Sequence, residues 1–223
     1  MEVIYRSHLL KWKYFFNPLL SLVSDTLHTK QSLVAGDACF RWLFSENDGI
    51  PGLIVDVYHQ DVVVQILTAP VEYFWPVLKK ILLESLVRST QKPVDTFHFH
   101  EQRHAPLRKQ EGLPLQPHSP SDPRVIEWNG LRWHLTPGGH QKTGTYLDQR
   151  NNHTHAAFWA THLRLKTAWD LFTFEGGFGL HLAKQGLTVL AVDTSTPALT
   201  TAQKNTQLND IPPNQFLIRN QDI

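Results

Sequence analysis

The sequence predicts a small α+β domain followed by the opening part of an α/β domain. Three observations point there. Residues 37–136 alternate short apolar runs with turns around one long helical pattern, the layout of strands with a covering helix. Asp170-Leu171-Phe172-Thr173-Phe174-Glu175-Gly176-Gly177-Phe178-Gly179 then joins an apolar run to a helix start through glycines, and Leu187-Thr188-Val189-Leu190-Ala191-Val192-Asp193 is a second apolar run ending in an acid. A third strand begins at Phe216-Leu217-Ile218 just before residue 223. Three strands do not close a doubly wound core, so the α/β domain is expected to be incomplete within this chain.

In chain order, residues 1–13 show no period and read as a tail. From Tyr14 to Leu33, Phe15, Phe16, Leu19, Leu20, Leu22, Val23 and Leu27 fit a helix with a wide apolar face, and Pro18 suits its first turn. Phe40 to Phe44 and Leu53 to Tyr58 read as strands around an ordered Gly/Pro turn, in which Glu46 and Asp48 are expected to accept backbone N–H bonds. A tight connection leads to a third strand, Val62 to Leu67. Val71 to Val87 is helical, with Phe74, Val77, Leu78, Ile81, Leu82 and Leu86 on one side. Val94 to His100 alternates as a strand. Glu101 to Gln110 holds Arg103, His104, Arg108 and Lys109; it reads either as a phosphate-contacting stretch or as a solvated loop. Leu113 to Pro123 contains four prolines and reads as a linker or long loop. Asn129-Gly130 between Val125–Trp128 and Leu131–Leu135 marks a type I′ hairpin. Helices are expected over 149–163 and from Thr196 to Leu208, and a buried strand from Leu165 to Leu171. The expected organisation is a tail and helix over 1–36, a central α+β domain over 37–138, and the α/β domain over 139–223.

Formal charge is +1, so any nucleic-acid contact has to come from a local patch. The thirteen histidines form no metal-binding motif. His98 and His100 share a strand face, where a solvated or core-edge role is expected. The single cysteine, Cys39, excludes an internal disulfide, suits a reducing cytoplasm, and reads as a buried structural thiol ahead of the first central strand. No apolar run is long enough to span a bilayer, and the N-terminus has neither a signal-peptide cleavage pattern nor an anchor.

The βαβ unit around Asp170–Asp193 is laid out like a nucleotide site, with glycines at the turn, free N–H groups at the helix start and an acid closing the second strand. Its glycine pattern is G-G-F-G rather than the dinucleotide G-x-G-x-x-G. The loop lacks Lys and Arg, and Glu175 would repel a pyrophosphate. A ligand with an adenosine end and a cationic or zwitterionic end fits better, as S-adenosylmethionine does; the alternative is an ordinary glycine-rich turn with no ligand.

Several stretches together resemble one family. Phe44-Ser45-Glu46-Asn47-Asp48-Gly49-Ile50-Pro51-Gly52-Leu53-Ile54-Val55-Asp56, Arg108-Lys109-Gln110-Glu111-Gly112-Leu113-Pro114 and Gly139-His140-Gln141-Lys142-Thr143-Gly144-Thr145-Tyr146-Leu147-Asp148-Gln149-Arg150 are similar to signatures of bacterial 23S rRNA 5-methylcytosine methyltransferases of the large-subunit I type. The Asp170–Gly179 loop and Val192-Asp193-Thr194-Ser195 complete the match, which runs in order over roughly residues 14–222. The resemblance implies an α+β central domain followed by an incomplete Rossmann-like class I S-adenosyl-L-methionine-dependent methyltransferase domain. It also implies methyl transfer to large-subunit rRNA in the cytoplasm, with no membrane partner and a homodimer left open.

By that resemblance Gly176 and Gly177 line the amino-acid end of the cofactor, with Asp170, Phe172 and Thr194 beside them. Asp193 holds the ribose hydroxyls, and Asp222 lies near the adenine amine. Lys142, Thr143, Tyr146, Asp148 and Arg150 form the surrounding wall and inter-domain seam; for Asp148 and Arg150 a buried ion pair is an equal reading. Three departures stand out. The family's RNA-binding PUA domain is absent from the sequence. Thr173-Phe174-Glu175 replaces the usual Cys-Tyr-Thr, so Glu175 either meets the cofactor ammonium or weakens binding. The family's Asp-Pro-Pro turn and nucleophilic cysteine fall beyond residue 223. This chain alone is therefore expected to transfer no methyl group. The alternatives are a non-catalytic RNA- or partner-binding module with a vestigial cofactor site, and a gene remnant that folds poorly.

Overall fold

A computed structural model describes residues 18–32, 38–116, 121–139 and 144–222. The chain divides into two compact units, Met1–Pro120 with Pro137–Thr143, and Ser121–Thr136 with Gly144–Ile223.

The first unit opens with helix α1 over residues 18–32, inside the stretch the apolar spacing predicts. Strands β1 (Cys39–Phe44), β2 (Leu53–Tyr58) and β3 (Asp61–Ile66) form an antiparallel meander. Helix α2 (Ala69–Thr90) then crosses over to β4 (His98–Gln102), which pairs parallel to β3. One sheet of order β1-β2-β3-β4 results. Its core side carries Leu53, Val55, Val57, Val62, Val64 and Ile66, packed with Val23 and Leu27 of α1 and Leu78, Ile81 and Leu82 of α2. Trp42 is fully buried, and its indole N–H donates to the Val23 carbonyl at 3.1 Å, tying β1 to α1. In the turn between β1 and β2, Asp48 accepts the Phe44 N–H at 2.7 Å, the role expected of such an acid.

Three sequence expectations change here. Val94–Thr96 forms a 3-10 turn, and the strand starts four residues later than expected, at His98. Cys39 is the first residue of β1 rather than a residue ahead of it, and it is buried. The two arginines of the basic stretch are not a free patch, although Lys109 is exposed. Arg103 pairs with Glu72 and Glu101 at 3.1 and 2.6 Å. Arg108, in the short helix α3 (Leu107–Gln110), is fully buried and donates to Glu72 at 2.8 Å and to the Ile66 carbonyl at 2.6 Å. The carboxylates that claim these arginines come from other elements, and a buried guanidinium keeps its charge only with such partners. On β4, His100 lies 2.6 Å from the Asp61 carboxylate. Among the described residues no group of three or more His, Cys, Asp and Glu could hold a metal ion.

The second unit begins with the hairpin β5 (Arg124–Trp128) and β6 (Leu131–Leu135). The expected division at residue 138 assigned it to the central domain; it packs within the second unit instead. The reason is a side-chain ladder. Asn205 and Asn209, one turn apart on α6 (Thr196–Leu208) and its C-terminal cap, lie along the backbone of β6. Asn209 accepts the Arg132 N–H at 2.9 Å and donates to the Arg132 carbonyl at 2.7 Å, while Asn205 accepts the His134 N–H at 2.8 Å. Two amides thus satisfy a strand edge that would otherwise need a neighbouring strand.

Helices α4 (Arg150–His162) and α5 (Gly177–Lys184) pack together. Strands β7 (Thr167–Leu171), β8 (Thr188–Asp193) and β9 (Phe216–Asn220) form a parallel sheet of order β7-β8-β9. The face carrying Asp170, Ala191 and Phe216 is buried beneath α5 and α6. β7 was expected to be buried, yet Trp169 is 74% exposed and Leu171 is 42% exposed. These side chains point away from α5 and α6, although Val192 on the same face is buried.

Candidate functional site

All three parallel strands end on one side of the second unit. There the β7–α5 loop, the end of β8 and the residues after β9 meet, the position where open α/β sheets bind ligands. The β7–α5 loop is held in an unusual shape. Phe172 and Phe174 have left-handed backbones, φ +62° and +52°, and Gly176 has φ +92°. Side chains rarely adopt that region, and two bulky aromatics there mean that the surroundings over-determine the loop.

Two acids do this. Asp170 is buried; one of its carboxylate oxygens accepts the Thr173 hydroxyl at 2.5 Å and the Gly179 N–H at 2.8 Å. Burial raises its pKa, and these two hydrogen bonds act against the rise. Asp193 accepts the Phe174 N–H on one oxygen at 2.9 Å and the Ser195 N–H on the other at 2.8 Å. A carboxylate has about four acceptor positions, so these bonds leave capacity on both oxygens. Asp170 therefore acts from beneath the loop, while Asp193 is half-buried at the strand end beside it.

The loop walls a cavity of about 230 Å³ with Thr145, Tyr146, Gln149, His153, Phe172, Thr173, Phe174, Glu175, Gly177 and Phe178. Of the residues expected at the site, Tyr146, Phe172 and Gly177 line it directly. The Tyr146 ring meets Phe174 edge-on at 5.3 Å. Its hydroxyl pKa is raised, first by burial and then by the charges of Asp148, Asp193 and Glu175. Gly176 caps α5, and a methyl group there would lie 3.1 Å from Leu180. Thr194 and Asp222 are exposed at the same strand ends. Gln221, next to Asp222, donates its N–H to the Asp193 carbonyl at 3.1 Å. Asp148 is exposed, so the buried Asp148–Arg150 pair is not formed; Arg150 is half-buried over the Trp128 ring at 5.8 Å. Lys142 and Thr143 lie outside the described residues.

Sequence reading missed His153. It is 2% exposed on the inner face of α4. The signal is the small-residue spacing His153, Ala157, Ala160, which marks one helix face packed closely on a neighbour. Glu175, which the sequence suggests either meets the cofactor ammonium or weakens binding, is 5% exposed and forms part of the cavity wall. A larger cavity, about 510 Å³, lies among the hairpin, α4 and α5, bordered by Phe158, His162 and Lys184. None of the residues expected at the site borders it, whereas Tyr146, Phe172 and Gly177 line the smaller cavity, which is therefore the candidate site.

The architecture is that of the class I S-adenosylmethionine-dependent methyltransferases. The structure matches a protein described as a SAM-dependent methyltransferase from Streptococcus mutans with a TM-score of 0.71, at 15% identity, over 93% of this chain and 52% of that one. A methyltransferase solved in complex with SAH matches with the same TM-score at 14% identity. No family model matches the sequence. The sequence is 34% identical over 192 residues to the ribosomal RNA large subunit methyltransferase I of Vibrio cholerae, covering 82% of this chain and 46% of that protein, and 32% identical over 190 residues to its namesake in Shewanella amazonensis. The chain belongs to the ribosomal RNA large subunit methyltransferase I family. It spans about half the length of the curated relatives it matches.

Proposed function

We propose that this chain binds S-adenosylmethionine as part of a methyltransferase acting on cytosine C5 of large-subunit rRNA. The observation that carries the reading is Asp193, an acid closing the second parallel strand with acceptor capacity left on both oxygens, beside a glycine-rich turn. Its carboxylate accepts the ribose hydroxyls. Gly176 and Gly177 allow the amino-acid end to approach the backbone at the start of α5. Tyr146, Phe172 and Phe174 supply an aromatic wall, Glu175 faces the ammonium, and Asp222 with Thr194 lies toward the adenine. Lys142, Thr143, Asp148 and Arg150 complete the surroundings by family resemblance. Asp170 sets the loop's shape from below. When bound, the cofactor supplies an electrophilic methyl group on its sulfonium; the described residues bind and orient it.

Large-subunit rRNA is the proposed partner, and a cytoplasmic location goes with it. Among the described residues no helix is long and apolar enough to cross a membrane. A second reading, a non-catalytic module that binds RNA or a partner, is favoured by one observation. Cys39 is buried in β1 of the other unit, so this site has no thiolate from it.

Calorimetric titration of S-adenosylmethionine tests the first reading. One saturable site that weakens at least tenfold in Asp193→Ala supports it. Absence of binding in a cooperatively folded chain sinks it and directs attention to RNA. Methyl transfer to rRNA by the purified chain alone would rule out the second reading.

A further inference from the structure

His153 has no role in the scheme above, yet its surroundings are unusual. The side chain is 98% buried, and its Nδ1 has no hydrogen-bond partner. Trp128 meets it edge-on at 6.0 Å, Phe178 edge-on at 4.5 Å, and His181 stacks on it at 5.2 Å. Nε2 faces the glycine turn: a Cβ on Gly177 would lie 2.7 Å from it. The ring also forms part of the wall of the 230 Å³ cavity. An imidazole without partners is expensive to bury, and a core position alone would be better filled by an apolar ring. Burial, reinforced by His181, pushes its pKa down to about 3, so the ring is neutral and carries one N–H.

We propose that His153 is the contact for the carboxylate of the cofactor's amino-acid end, its ring N–H and the α5 N-terminus together receiving one carboxylate group. The proposal rests on the S-adenosylmethionine reading and adds which residue recognises the amino-acid moiety. The geometry suits a zwitterion. His153 and the first N–H groups of α5 offer donors on one side of the cavity, and Glu175 offers a carboxylate in the wall. An anion therefore fits best at the His153 side and a cation at the Glu175 side. The ionisable groups around the ring are His181 on α5, Glu175 in the loop and Tyr146 across the cavity.

Two probes separate this contact from the rest of the site. S-adenosylhomocysteine keeps the amino-acid end, and 5′-methylthioadenosine lacks it. Calorimetry on the full chain is expected to show wild type favouring S-adenosylhomocysteine. In His153→Phe that ligand is expected to weaken by about tenfold or more, the worth of one hydrogen bond to a charged group, while 5′-methylthioadenosine binds as before. His153→Gln, which keeps an N–H donor, recovers part of the preference.

Nitrogen-15 spectra of histidine-labelled wild type add a readout that needs no variant. The His153 ring signals move with S-adenosylhomocysteine and stay put with 5′-methylthioadenosine. Equal weakening of both ligands in a folded His153→Phe overturns the proposal, as does an unmoved His153 signal in a saturated wild-type protein. Binding of neither ligand to wild type overturns the cofactor reading itself, and this proposal with it.

Discussion

The two sheets of this molecule reach burial differently. In the first unit both faces of the central strands are closed. Val55, Val64 and Ile66 on the core side are fully buried, and so are Asp56, Tyr58 and Val63 on the other. In the second unit α5 and α6 cover one face of the parallel sheet. The other presents Trp169, Leu190 and Leu217 as one cross-strand row, with the exposed Leu171 beside a buried Val192 in the next. Parallel sheets ordinarily have both faces covered. The first unit thus holds its own core, whereas the second depends on its helix face and the asparagine ladder. The candidate site lies in the unit with less buried support.

Acid should separate the units most. His153 and His181 in the second unit both have depressed pKa values, His153 down to about 3, with burial the leading cause. Unfolded histidine takes up a proton near pH 6.5 and the folded ring resists it. The contribution of His153 is therefore full above about pH 6.5 and is lost as pH falls toward 3, at up to about 1.4 kcal/mol per pH unit, or roughly 3 kcal/mol over two, and that of His181 is lost in the same direction. Asp170, with a raised pKa, pulls the other way. In the first unit Glu101 has a lowered pKa despite its burial, because Lys79 and Arg103 donate to it, so its contribution fades only below about pH 4.5. Hydrogen exchange at pH 5 should show β8 amides losing protection before β3 amides. Simultaneous loss would mean the units unfold together. The same comparison in His153→Gln isolates that ring's share.

Leu82→Ala is the next largest change. Leu82 is fully buried in the first core, and its truncation should cost about 3 kcal/mol there, with protection in β8 unchanged. Asn209→Ala is the counterpart in the second unit. It removes both bonds to Arg132 and leaves a part-buried N–H and carbonyl of β6 without them, costing about 1 kcal/mol or more. Trp128 and Trp133 should then gain solvent exposure, seen as a red-shifted fluorescence. Gly176→Ala should cost about 1 kcal/mol, since alanine at φ +92° is strained and its methyl would crowd Leu180. Its cofactor affinity should fall further than its stability.

Local features were legible in the sequence wherever one segment decides them. Asn129-Gly130 set the hairpin, and the helix expected from Thr196 to Leu208 forms with those bounds, its start fixed locally by the Ser195 hydroxyl, which accepts the Ala198 N–H. What escaped was decided by distant partners. The hairpin's allegiance depends on asparagines 71 and 77 residues away. Arg103 and Arg108 lose their patch to Glu72, 31 and 36 residues off. His153 looks ordinary until α5 brings Gly177 against its ring. The strand-end acid and glycine turn were readable because that site is contiguous in sequence, whereas the cavity wall comes from α4 as well.

The smallest expected effect tests the comparison most directly. Trp169 is 74% exposed, so Trp169→Lys should change stability by no more than about 0.5 kcal/mol, against about 3 kcal/mol for the buried Leu82. Lysine keeps a long aliphatic stem along the strand while placing a charge where a covering layer would need an apolar surface. If the face is open in solution, the charge is hydrated and the unit unaffected. The variant should also bind less of an apolar dye, because the Trp169–Leu190–Leu217 row is broken at its most exposed member. A cost above about 2 kcal/mol would show that something buries this tryptophan in solution, and the contrast between a closed first unit and an open second one would fail.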